Sequence, residues 1–123
     1  MKTTLPHYIT ERLKRPFEWG NFDCMLFVVG WVEIASGRNY LSQYPAWKNA
    51  KEAILQVDEL GGLEAVFDAH FKRINPHLAR DGDIALIDRT AFLFSGARIV
   101  SVGESGLVYV NRLQAKAAWR TPK

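Results

Sequence analysis

One cysteine is all that the 123-residue chain carries, and that scarcity removes several classes of protein at once. A single thiol closes no intrachain disulfide, so the sequence asks for no oxidising compartment. There is no second cysteine beside Cys24, and His7, His70 and His77 show no metal-ligand spacing, so neither a metal nor a cofactor is expected. Long apolar runs are also missing. The longest, residues 25–32, falls far short of the roughly 20 residues that span a bilayer, so no membrane segment is expected. Pro6, His7 and Glu11 interrupt the stretch where a signal peptide stays apolar, which reads as a protein made and used without a secretory route of its own. Repeats and low-complexity segments are absent.

The chain lacks a dense basic stripe as well. Its net charge of +3 divides into +3 over residues 1–15, −4 over 16–104 and +4 over 105–123. Such dispersed charge does not point to nucleic acid. Basic ends around an acidic middle leave two readings open: docking on acidic partner surfaces, or folding back onto the protein's own body. With 48% apolar and 24% charged residues, the chain reads as one globular domain over 1–123.

Periodicity orders the elements. Residues 9–14 suggest a short helix stopped by Pro16. A second helix should open at Asp23 or Cys24, run to about Ser36 and end at Gly37. Cys24, Phe27, Val28, Trp31 and Ala35 share one face of it, and Leu26, Val29, Val32 and Ile34 fill most of the rest, as in a buried helix. Asn49 with Glu52 has the form of a capping box, opening a third helix to about Leu60 before Gly61 and Gly62 break it. Leu63, Val66, Phe67, His70 and Phe71 mark the inner face of a fourth. Beyond Pro76, "RDGD" reads as a turn, and "DIALID", "AFLF", "ARIVSV", "GLVYVN" and "KAAWR" follow at strand lengths. Helices first and a small antiparallel sheet after them make an α+β domain.

Cys24 sits at the mouth of the central helix. A helix N-terminus favours thiolate, whereas an ionised Asp23 disfavours it unless its carboxylate caps the helix. Free cysteine is also commonly a buried hydrophobe, so these facts alone leave a nucleophile and a core residue both open. Trp31 and Trp119 read as core. Trp47, in the polar stretch "YPAWKN", reads as an exposed contact for a partner.

The element F-x-W-G-x-x-D-C, followed by an apolar helix and "SGR", resembles the start of the NlpC-like branch of papain-fold cysteine peptidases, closest to the small version found among phage and prophage tail genes. Trp19, Gly20, Asp23 and Cys24 carry the likeness, with the helical segment 49–71, Gly82 and Asp83 ahead of Ile84, "GESGLVYV" and "AAWR". The resemblance implies a papain-like NlpC-type fold with Cys24 at the nucleophile position. It puts the histidine base on or next to Thr90 and a third, orienting residue near Ser101. No histidine follows His77, and neither Thr90 nor Ser101 titrates near neutral pH, so the family's pattern here has a nucleophile and no base. The resemblance therefore implies a catalytically degenerate structural part of a tailed-phage or prophage tail tip or baseplate. Its partners would be the hub and distal tail proteins, and its place the virion tail after synthesis in the bacterial host cytoplasm. The alternative is a cysteine peptidase or amidase that cleaves peptidoglycan stem peptides during DNA entry, with Cys24 as nucleophile and a base from elsewhere. A third reading is an assembly factor absent from the virion.

Overall fold

The computed structural model describes residues 3–19, 22–40 and 47–122. Four helices come first: α1 (Leu5–Arg12), α2 (Cys24–Ser36), α3 (Ala50–Glu59) and α4 (Leu63–His70). Six strands follow: β1 (Lys72–Ile74), β2 (Ile84–Ile87), β3 (Thr90–Ser95), β4 (Arg98–Gly103), β5 (Gly106–Asn111) and β6 (Ala117–Arg120). They form one antiparallel sheet in the order β1-β6-β2-β3-β4-β5. The domain is α+β, as the order of patterns implied.

Local chemistry sets most boundaries. The Asp23 carboxylate accepts from Leu26 N at 3.0 Å and starts α2, and Gly37 ends it at φ 72°. Asn49 caps α3 through Glu52 N at 3.0 Å. Glu52 completes a variant of the box by accepting from Lys48 N, one residue before the cap. α1 differs from expectation. It starts at Leu5, not near Ile9, because Thr4 caps it and Pro6 falls in the first turn, where its missing N–H costs nothing. It also ends at Arg12, short of Pro16. β1 went unseen in the sequence: "KRI" is too short and too charged to read as a strand, and its pairing with β6 makes it one.

Two apolar layers flank the sheet. On one face Ile84, Leu86, Leu93, Val100 and Trp119 meet Phe27, Val28, Val32 and Phe67 from the helices. α2 packs on β3 and β4, and α4 on β1 and β6. Alternation sends Ala85, Phe92, Phe94, Ile99 and Ala118 to the other face, where Ala79 joins them and Ile74, Val110 and Ala115 pack against them. β3 is therefore buried on both sides, which is why "AFLF" does not alternate. Short 3-10 turns at Pro76–Leu78 and Arg112–Gln114 flank this outer layer. Arg112 ties it down by donating to the carbonyls of Gly96, Pro76 and Ala79, with its guanidinium 4.9 Å from the Phe94 ring.

Among the described residues, several basic side chains near the two ends have partners within the chain. Arg12 donates to Tyr8 O and lies over the Tyr8 ring, Lys116 lies 3.8 Å from Asp88, and Arg120 lies 3.1 Å from Asp83.

Gly82 and Asp83 do structural work at the head of β2. The Asp83 side chain accepts from Arg80 N and Thr121 N, and Thr121 Oγ1 donates to Gly82 O at 2.6 Å. Arg120 Nε meets the same carboxylate as a charge pair, without the alignment of a directed hydrogen bond. Gly82 has φ 89°, and a Cβ there would stand 2.7 Å from the Trp31 indole nitrogen. Gly96 has φ 60° and open space around it. Gly96→Ala should cost only the left-handed penalty of about 1–2 kcal/mol. Gly82→Ala adds overpacking against Trp31 and should cost about 2–4 kcal/mol. Urea midpoints of the two variants at pH 7 measure the difference, and equal losses would mean that the Trp31 contact carries no weight.

Candidate functional site

The site is built from the start of α2 outward. Glu18 and Phe22 exchange both main-chain hydrogen bonds, 2.9 and 2.7 Å, just ahead of the cap. Gly20, which carries part of the family resemblance, lies outside the described residues. Trp19 stands half-exposed with its ring edge-on to Phe17, centroids 4.6 Å apart. Asp23 is 1% exposed, and Cys24 follows as the first residue of α2.

A cavity of about 420 Å³ opens there, between the start of α2, helices α3 and α4, and the β2–β3 turn. Trp19, Cys24, Trp47, Val57, Leu86 and Thr90 line it. Three residues singled out in the sequence, Trp19, Asp23 and Cys24, thus share one cavity with Thr90. Ser101 is buried behind it on β4 and donates to Ala91 O at 2.7 Å. Gly82 and Asp83 are elsewhere, beside Trp31 in a second pocket. The rim holds Asp58, Glu64, Asp88 and Arg89, none of which the sequence marked. Among the described residues Asp88 is the non-glycine residue with positive φ (52°), in the two-residue β2–β3 turn.

Trp47 is a correction. Expected as an exposed contact, it is 8% exposed, and its indole N–H donates to Asp23 Oδ2 at 2.6 Å. The physical reason is the buried carboxylate. One oxygen caps α2, and the other accepts a strong donor from 24 residues away, which satisfies a charge that burial would otherwise penalise by several kcal/mol. No short-range pattern encodes that pairing.

The thiol is poorly suited to attack. Burial pushes the Cys24 thiol up from its ordinary 9.0 to about 11. Backbone hydrogen bonds at Ala91, Met25 and Cys24 itself work downward, the Ala91 bond most, and the Asp23 charge works upward. At pH 7 only about one thiol in 10⁴ is ionised. The Ala91 bond also places the sulfur against the start of β3, next to Thr90. None of the three histidines lines the cavity. His70 lies at the end of α4, edge-on to Tyr40, His77 is in an exposed 3-10 turn, and exposed His7 pairs with Glu11 at 3.2 Å. Among the described residues no group of His, Cys, Asp and Glu is placed to hold a metal ion. No described helix is long and apolar enough to cross a membrane.

Two measurements probe this arrangement. Trp47→Phe keeps the ring and deletes the donor to Asp23, and should lower unfolding stability by about 1–3 kcal/mol in urea titrations. A loss under half of that would mean that the bond is dispensable. The thiol predicts a pH dependence. Because folding raises its pKa, its share of stability is complete below pH 9 and is lost as the pH rises towards 11. Tyr8, raised by burial to about 12, begins a loss of the same sign only above pH 10. Between pH 9 and 10 the wild type should therefore lose roughly 1 kcal/mol more than Cys24→Ala. Parallel stability curves for the two proteins would contradict a buried, protonated thiol.

No curated protein and no solved structure matches the chain. A family model described as a domain of unknown function, DUF6950, matches residues 1–121. Matched over nearly its whole length, the chain belongs to the DUF6950 family.

Proposed function

We propose that the chain is a papain-like, NlpC-type domain without peptidase chemistry, serving as a structural component of a tailed-phage or prophage tail tip or baseplate. Its neighbours in that assembly would be the hub and distal tail proteins. The observation that carries the reading is the company of Cys24. The thiol heads α2 and lies against Ala91 at the start of β3, and no imidazole lines the cavity before it. Histidine is the side chain whose ordinary titration lets it take a proton from a thiol near pH 7 and return it to a leaving amine. Ser101, near the expected orienting position, spends its hydroxyl on the Ala91 carbonyl and has no ring to orient. Loss of the base with retention of core and cleft is coherent, because a fold does not dictate its chemistry.

The purified protein tests this directly. It should release no new amino groups from peptidoglycan sacculi beyond the level of Cys24→Ala. Gold-labelled antibody to the chain should decorate the tail tips of particles produced by a host carrying the gene. Cleavage that Cys24→Ala abolishes, or particles without label, would overturn the proposal.

A further inference from the structure

α3 is loosely held where it walls the cavity. Ala53 is the buried residue among its ten, while Ile54 at 42% and Leu55 at 53% stand exposed. Ile54 also lines the cavity, so the seam beside α3 is wet. Among the described residues, the hydrogen bonds of residues 48–61 all close within 48–62, and none crosses to the sheet or to α2. The main backbone neighbour of α3 is α4, the helix to which it is joined.

The packed position of α3 also leaves a polar group stranded. Gln56 shares the inner face with Ala53, and its Oε1 is shut off from water with no hydrogen-bond partner among the described residues. An acceptor buried in that way favours any state that returns it to water. The chain on either side of α3 has room to turn. Trp47 is fixed to Asp23, so the exposed pair Lys48 and Asn49 is the joint at one end. Gly61 and Gly62, both at φ 93°, are the joint at the other, with open space around Gly62. Across the cavity mouth Asp58 of α3 meets Arg89 of the β2–β3 turn at 3.8 Å, both side chains exposed. An exposed pair of that length holds weakly and releases readily.

We infer that α3 is a hinged lid on the Cys24 cavity, swinging as an intact helix about residues 48–49 and 61–62 and latched by Asp58 with Arg89. The helix moves as one body because its hydrogen bonds travel with it. Opening returns Gln56 Oε1 to water, parts the latch and takes the wall of Ala53, Ile54 and Val57 away from Cys24. Closing packs Ala53 and Val57 back on the core, which makes the closed state the resting one. The remaining contacts stay in place, with Trp47 on Asp23 and α4 on β1 and β6. The lid thereby governs which molecules reach the thiol, whatever the domain assembles with.

The chain's one thiol reports the motion. Its labelling rate by fluorescein maleimide, a bulky probe, is measured in the full chain at about pH 8.5 and in urea below the unfolding midpoint. A lid gives a rate that hardly responds to low urea, because a swing of α3 exposes little surface. Gln56→Leu replaces the stranded acceptor with an apolar group and should slow labelling at least about fivefold. Gln56→Met should do the same and stands in if the leucine variant does not fold. Arg89→Gln opens the latch and should speed labelling about twofold. Through charge alone the same change would slow labelling, since a lost cation leaves the thiolate less favoured. Equal rates in the wild type and the Gln56 variants overturn the inference, and so does slower labelling in Arg89→Gln. So does a rate that climbs with urea as steeply as global unfolding, because the thiol would then be reached only through the unfolded chain.

Discussion

The Asp23 carboxylate holds together what sequence separates. One oxygen takes Leu26 N at 3.0 Å and starts the central helix, and the other takes the Trp47 indole at 2.6 Å and binds the segment leading into α3. A hydrogen bond to a charged group contributes about 1.5–3 kcal/mol, and a buried carboxylate without its donors costs more than that. The cap and the tryptophan are therefore one unit. Neither can be removed without leaving the other beside a buried charge that has lost a donor. The wall that Trp47 adds to the cavity follows from this electrostatic demand as much as from packing.

A second buried carboxylate does the same at the other end of the helix–sheet contact. Asp83, 3% exposed, gathers Arg80 N, Thr121 N and the Arg120 guanidinium, and so joins the head of β2 to the chain leaving β6. Trp31, in the second half of α2, rests on Gly82 beside it. α2 is thus pinned near both ends, by Asp23 where it begins and through Trp31 further along. Its apolar middle, Phe27, Val28 and Val32, is fully buried under β3 and β4. Both motif carboxylates, Asp23 and Asp83, act as anchors of backbone in this chain.

These anchors mark where the sequence was legible and where it was not. The start of α2 at Asp23 and its end at Gly37 could be read, because a cap and a left-handed glycine are local chemistry. The strands from β2 to β6 could be read as runs of strand length, with Gly96, Gly103 and Gly106 punctuating β3, β4 and β5. Trp47 was misplaced because its partner lies 24 residues away and its neighbours are polar. β1 was invisible because pairing with β6, not side-chain pattern, makes residues 72–74 a strand. The outer apolar layer was missed because alternation distinguishes two faces without saying that both are covered. The shared cavity of Cys24 and Thr90 came from family resemblance, while the rim of Asp58, Glu64, Asp88 and Arg89 had no short-range signature.

Magnitudes connect the fold to the proposed loss of chemistry. Bringing the Cys24 thiol from about 11 to near 7 needs roughly 5.5 kcal/mol in favour of the thiolate. An imidazolium about 4 Å away supplies about 4 kcal/mol at the effective dielectric of a protein site. One side chain at the start of β3 therefore accounts for most of the gap between a packed thiol and a working nucleophile. Relieving the Asp23 charge would close part of the remainder, but that charge anchors α2 and Trp47. The two requirements are separable in one direction only. A base at the start of β3 can be given up without disturbing an anchor, whereas losing Asp23 removes the cap of α2 and the partner of Trp47. Degeneration at the base with every structural contact retained is the outcome that this asymmetry favours.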